Sequence, residues 1–291
     1  MKNNLYKVGL TLSFVAILFG ACVKKLDVLP TNDITADVVY SSVDGYKKAF
    51  AKVYGAFALG GNNGANGGGD IQGIDGGFSD FFRLYWNAQE LSTDEAVVAW
   101  GDAGLPDFHK MNWSANNQFI KALYYRSFYQ ITVANDFIRQ ASDANLAKRG
   151  ITGTDVDNIK RFKAEARFLR GHYNFEIQKM WGNVPYISEE NYANTEFNQP
   201  NPGPIWDQIE ADFKYAMDNL PNSQSDVGRP NSWVAMAFLG KVHLYQSEWA
   251  DAKGYLEGVI NSGVYSLLPE FVDNFRIAGD NSSESLLAIQ Y

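Results

Sequence analysis

Few residues in this chain could do chemistry, and many could bind. Its 291 residues include one cysteine and three histidines. Cys22 stands just behind a short apolar run, so a cysteine nucleophile and a thiolate metal set in the body of the chain are excluded. His109, His172 and His243 are scattered, and no HExxH puts a ligand pair on one helical face. No GxSxG elbow is present. Asp94 and Glu95 are adjacent, so their side chains diverge in a strand or sit about 100° apart on a helix. They cannot face each other across a sugar bond as a glycosidase pair does, and a capping or turn-fixing role suits them better. These absences predict a protein that is not an enzyme and holds no metal or cofactor.

Binding chemistry is better represented, since 14% of the residues are aromatic. Sugars present flat C–H faces ringed by hydroxyls. A site for them wants an exposed ring beside a few fixed polar groups. Trp100 opens a loop, Trp100 to Trp113, and is followed by Gly101, which leaves its ring unshaded. Asp102 is near enough in sequence to accept hydroxyl hydrogen bonds. Trp86 ends the aromatic-dense run Asp80 to Trp86. Trp100, Asp102 and Trp86 are therefore the candidate glycan-binding residues, while Trp113, nearer a helix start, reads as packing. The competing reading of Trp100 is a ring that merely pins its loop to the scaffold. A net charge of −8 and a pI of about 5.0 argue against a nucleic-acid partner, whose phosphates need a basic face.

The elements that must position these residues read as helices. From Ala164 to Pro185, AEARFLRGHYNFEIQKMWGNVP, the residues Phe162, Ala166, Leu169, Tyr173, Ile177 and Met180 recur every three or four positions and share one face. Arg161, Lys163, Glu165, Arg170 and Lys179 are expected to be solvated or at its edges. Gly182 can take a left-handed terminal position, and Pro185 forbids resumption. Ser42 to Phe57 and Asn116 to Ala141 carry similar stripes. A turn from Ala141 to Asp157 follows, with Thr154 as candidate N-cap. Ile205 to Leu220, Ser232 to Gln246 and Trp249 to Asn261 continue the series. The last two fit the tetratricopeptide pattern through Met236, Leu239, Gly240, His243, Ala252 and Leu256. Gly240 and Ala252 would let the helices approach, and His243 and His172 would pack. Leu59 to Gly77 is Gly/Asn-rich without GK[ST] or EF-hand spacing, hence a surface loop. Ser285 to Tyr291 alternates like a strand.

The first residues read as an export signal. Lys2 and Lys7 precede an apolar run from Val8 to Phe19 that is too short to span a bilayer. Gly20 and Ala21 then lead into Cys22, which resembles a lipoprotein signal spanning 1–21 with Cys22 lipidated. The AEARFLRG helix closing on WGNVP resembles the SusD/RagB family of outer-membrane nutrient-binding lipoproteins. LSTDEA at Leu91 to Ala96, GRPNSWVAMAFLGKVHLYQ at Gly228 to Gln246, and the Leu-Asp and Pro wording after Cys22 agree in order. The resemblance runs from about Cys22 to the last residue. It implies a mostly α fold of tetratricopeptide-like helix pairs with long irregular loops over 22–291. It further implies that this is the N-terminal part of a chain continuing beyond Tyr291. The implied function is capture of oligosaccharide, polysaccharide or in some relatives peptide at the outer membrane of a Bacteroidetes-type bacterium. Delivery would be to a TonB-dependent, SusC-like transporter. The alternatives from other classes are a surface helical-repeat adaptor binding only protein or peptide, and a secreted glycoside hydrolase.

The lipoprotein reading has a direct check. Labelled palmitate should enter the wild-type protein and be absent from Cys22→Ser; equal labelling of both would remove the anchor.

Overall fold

The long helix expected around Ala164 runs from Thr154 to Trp181 and is the centre on which three other helices pack. The structure, a computed structural model, describes residues 35–58, 60, 70–71, 73–191 and 200–290. Cys22 and its signal, most of the Gly/Asn-rich stretch and residues 192–199 lie outside the described residues. An N-terminal unit ends at Val39 and contributes the short helix α1, Ala36–Val39. The body from Tyr40 onward is helical, and no strand occurs among the described residues.

Several helices begin where a side chain accepts from the unpaired N–H groups of the first turn. In α2, Val43–Ala58, Tyr46, Phe50, Val53 and Phe57 form the buried stripe. The Asp80 carboxylate accepts from the Arg83 N–H at 2.9 Å and opens α3, Phe81–Glu90. A single turn, α4, spans Pro106–His109. Asn117 caps α5, Gln118–Gln140, by accepting from the Phe119 and Ile120 N–H groups. The segment expected to be a plain turn after α5 contains a further helix, α6, Asp143–Lys148, capped by the Ser142 side chain. Thr154 is not the N-cap of α7, Thr154–Trp181. It is the first helical residue, and Gly153 precedes it at φ 62° with no side-chain cap. A glycine reverses the chain there more cheaply than a hydroxyl can cap it. At the other end Gly182 has positive φ as expected. Its ψ of −126°, however, puts it in the extended region open to glycine alone rather than in the left-handed helical one.

α7 packs on α2, α5 and the following helix α8, Trp206–Asn219. Beyond α8 come α9, Ser232–Tyr245, and α10, Trp249–Asn261, which form the expected pair. Gly240 is the point of closest approach. A Cβ there would meet Leu256 Cγ at 2.7 Å, so no larger residue fits without moving α10. Ala252 is fully buried beside it. The expected strand at the end of the chain is not formed, because no neighbouring strand offers a ladder; residues 288–290 instead pass over Gly228.

The largest departure from expectation is the burial of α7. Ala164, Glu165, Phe168, Arg170, Asn174, Phe175 and Gln178 are buried as well as Ala166, Leu169, Tyr173 and Ile177 of the apolar stripe, while Phe162 and Met180 at its ends are half-buried. Arg161 is exposed and Lys163 and Lys179 are half-buried, as edge residues should be, but Glu165 and Arg170 are core residues. Each has partners that remove the cost of burying a charge. Arg170 grips Asp212 of α8 with two parallel bonds, Nε to Oδ2 at 2.7 Å and Nη2 to Oδ1 at 2.6 Å. Its remaining Nη1 donates to Asn135 Oδ1 of α5 at 2.6 Å and to Glu189. The Asn135 amide donates onward to the Ile187 carbonyl at 2.8 Å. Glu165 accepts from Arg229 Nε at 3.0 Å and from the Tyr54 hydroxyl of α2.

These pairs set the response to mutation and acid. Asp212→Ala strands the Arg170 guanidinium and should cost about 3–5 kcal/mol in denaturant unfolding; a loss below about 1 kcal/mol would mean that the cluster is incidental. Burial alone raises the Glu189 carboxyl, but the Arg170 guanidinium outweighs it and holds the group at about 2. Its folded value thus lies below the unfolded one of about 4.3. Its contribution is full above about pH 4.3 and is lost as the pH falls toward 2. Glu189→Gln should flatten the fall in melting temperature over that window, measured against wild type.

Candidate functional site

α3 presents Arg83, Trp86 and Asn87, spaced three and four apart, on one face. The chain then turns at Thr93, whose hydroxyl donates to the Glu90 carbonyl at 2.7 Å and accepts from the Glu95 N–H at 3.2 Å. Asp94 and Glu95 are exposed beside it, in keeping with a turn rather than a catalytic pair. The returning segment brings Val98, Ala99 and Trp100 against the α3 face. Together with Phe78, Leu105 and Phe119 these residues line a hollow of about 340 Å3. Trp86 is 47% exposed and Trp100 58%. Both rings therefore offer a face to a ligand.

The loop carrying Trp100 is held from below. Asn117, while capping α5, donates its amide to the Gly104 carbonyl at 2.7 Å and to Asp107 at 3.1 Å. The Gln118 amide donates to the Ala103 carbonyl at 2.6 Å. Phe78 contacts Trp100 edge-on, ring centres 6.4 Å apart, and Phe119 at 6.0 Å. Arg83 lies over the Phe78 ring at 5.7 Å and donates to the Gly77 carbonyl at 2.7 Å. The hollow thus has a rigid aromatic floor with the two tryptophans at its opening.

Of the residues expected to bind, Trp86 and Trp100 share this hollow, whereas Asp102 is not among its lining residues; the Asp102 carbonyl accepts from the Leu105 N–H at 3.0 Å and shapes the turn. Arg83 and the buried Asn87 are the polar residues of its lining. The spacing of Trp86 and Asn87, three and four positions after Arg83, was the available signal. Trp113 packs 6.2 Å from Phe108, as expected, but remains 43% exposed. It lines a second hollow of about 540 Å3 with Gln89, Phe108, Ser114, Lys179 and Trp181. Phe108 and Phe119, 6.4 Å apart, connect the walls of the two hollows. Lys179 is engaged there, bonded to the Tyr85 hydroxyl at 2.8 Å and paired with Glu176. A third hollow of about 350 Å3, between α2 and Gly228, is mostly apolar and has no tryptophan in its lining.

His172 and His243 each lie against aromatic rings. His172 stands 5.5 Å from the rings of both Phe57 and Phe238, and burial pushes its imidazole below the ordinary value. His243 stacks on Tyr255 at 5.3 Å with the rings 8° from parallel. No helix among the described residues is long and apolar enough to cross a membrane.

Helix pairs of this kind, closed at Gly240 and stacked beside a long central helix, define a mostly α, tetratricopeptide-like scaffold. The chain belongs to the SusD-like family: the profile described as "Starch-binding associating with outer membrane" matches residues 86–244. It is similar to the starch-binding protein SusD of Bacteroides thetaiotaomicron, 26% identical over 99% of this chain and 51% of that protein. A SusD-like protein of Bacteroides ovatus is also 26% identical, over 50% of its length. Among solved structures, a laminarin-binding SusD-like protein aligns at a TM-score of 0.65 with 26% identity, covering 84% of this chain and 50% of the other. Surface glycan-binding protein A of Bacteroides thetaiotaomicron, solved with laminarihexaose, aligns at 0.62 with 19% identity over 85% of this chain and 49% of that one, a likeness of fold. The chain spans about half the length of the curated relatives it matches.

Proposed function

We propose that the protein captures an oligosaccharide or polysaccharide at the bacterial surface and delivers it, unhydrolysed, to a TonB-dependent outer-membrane transporter. In this reading Cys22 carries the lipid anchor, and the hollow between α3 and the Trp100 loop is the capture site. The observation carrying it is the convergence of Trp86 and Trp100 on one rigid hollow that also holds Arg83 and Asn87. Sugar C–H faces stack on the two rings, while the guanidinium and the amide hydrogen-bond hydroxyls at the edge. Starch- and laminarin-binding relatives make a glucan the first class of ligand to test. An open hollow with few polar partners suits a protein that must release its cargo, since each further fixed hydrogen bond would slow dissociation.

Trp100→Ala and Trp86→Ala test the site. A lost stacking platform should weaken binding by roughly 1–3 kcal/mol, in the range for truncating a binding hot spot. Calorimetry against starch- and laminarin-derived oligosaccharides reads this, with thermal melting as control. Unchanged affinity would remove the hollow from the site. A large fall in melting temperature would instead make Trp100 a loop pin.

A further inference from the structure

Outside the glycan hollow, one cluster joins metal-binding side chains from separate elements. Glu210 lies on α8, His243 near the end of α9 and Glu248 at the start of α10. Their donor atoms all fall within 4.8 Å of one another. The spacing of the three in sequence matches no metal motif, and only the packing of α8 against the α9–α10 pair brings Glu210 to the other two.

The cluster is prearranged by interactions that do not themselves consume every donor. His243 is held flat against Tyr255, which fixes the direction of its ring nitrogens. The α9–α10 turn is three residues long, and Ser247 accepts a φ of 63° within it. That turn lets the Glu248 N–H donate to the His243 carbonyl at 2.9 Å. It also brings Glu248 Oε2 to 2.6 Å from His243 Nδ1. The Gln246 amide donates to Glu210 Oε1 and orients that carboxylate, as outer-shell partners do for metal ligands. The His243 side chain is 11% exposed and that of Glu248 46%. One ligand is thus set in the wall, and another swings at the mouth where an ion would enter.

We propose that Glu210, His243 and Glu248 form a binding site for a divalent transition-metal ion of the zinc type, which clips α8 to the α9–α10 pair. One imidazole and two carboxylates are a donor set that zinc accepts, with a fourth position left to water. Calcium and magnesium take oxygen ligands and pass over imidazole. Zinc bonds of about 2.0–2.2 Å put tetrahedral donors roughly 3.4 Å apart. Side-chain rotation at Glu248 opens its 2.6 Å approach to His243, and rotation at Glu210 draws the remaining donors in from within 4.8 Å. The ion takes the place of the hydrogen bond between His243 Nδ1 and Glu248, with the imidazole's proton on Nε2, and two carboxylates leave the occupied site with no excess positive charge.

The test uses the full chain freed of metal with a chelator and titrated with zinc chloride. Wild type should bind one equivalent by calorimetry and melt a few degrees higher with zinc, because an ion bound only to the folded state stabilises it. Glu248→Gln keeps the side-chain length, and His243→Phe keeps the ring on Tyr255. Each should weaken zinc binding by at least about tenfold and abolish the melting shift. Wild type that takes up no zinc would overturn the site. So would undiminished binding in both variants, or a preference for calcium or magnesium chloride over zinc. If His243→Phe does not fold, Glu248→Gln decides alone.

Discussion

A guanidinium enclosed by protein dictates much of this architecture. Arg170 is 1% exposed, and its charge is tolerable only if every donor finds an acceptor in fixed geometry. Asp212, Asn135 and Glu189 meet that demand from three different segments. α5, α7, α8 and the stretch that follows Trp181 are therefore registered against one another by a single side chain. An apolar contact tolerates sliding; a forked pair of hydrogen bonds does not. Glu165 does similar work nearer the start of α7, where it draws in Arg229 and α2 through Tyr54. Between them the helix is buried on nearly every side, and aromatic rings such as Phe168, Phe213 and Phe238 fill the intervening space.

That registration determines where the hollow between Trp86 and Trp100 can be. α3 packs on α5, and Asn117 at the start of α5 holds the loop that carries Trp100. The hollow is built from a loop, but its floor belongs to the scaffold. Variation in the loop can change the Trp100 ring at the opening without disturbing Arg170. This division between a rigid frame and exchangeable rims is the usual way binding surfaces are carried on helical repeats.

Much of this was legible in the sequence, and what was not has a common cause. Apolar periodicity located α8 and α10 to within a residue, because one-sided burial writes itself as a stripe. It misjudged Arg170 and Glu165, whose partners lie in distant segments and leave no local trace. Ser142 opened an unforeseen helix, since a six-residue helix is too short to show a period. Gly153 rather than Thr154 began α7, because capping and chain reversal compete at adjacent positions. Trp100 was readable as an exposed aromatic beside Gly101, and Trp86 as the end of an aromatic-dense run. Arg83 and Asn87 became apparent only with the helical face they share with Trp86. Likewise, Glu210 joins His243 and Glu248 solely through tertiary packing.

The end of the described chain has a different character from the buried frame. Leu267, Phe271, Phe275 and Ile277 are 73% to 90% exposed, within a stretch organised by short 3-10 turns. Large apolar side chains so fully exposed and so close in sequence are uncommon on a protein surface unless something covers them. For the isolated polypeptide this is a matter of colloidal behaviour. Such side chains attract other copies, plastic, detergent micelles and hydrophobic dyes alike. Light scattering at several concentrations therefore belongs beside any titration, since a heat of self-association is easily mistaken for a heat of sugar binding.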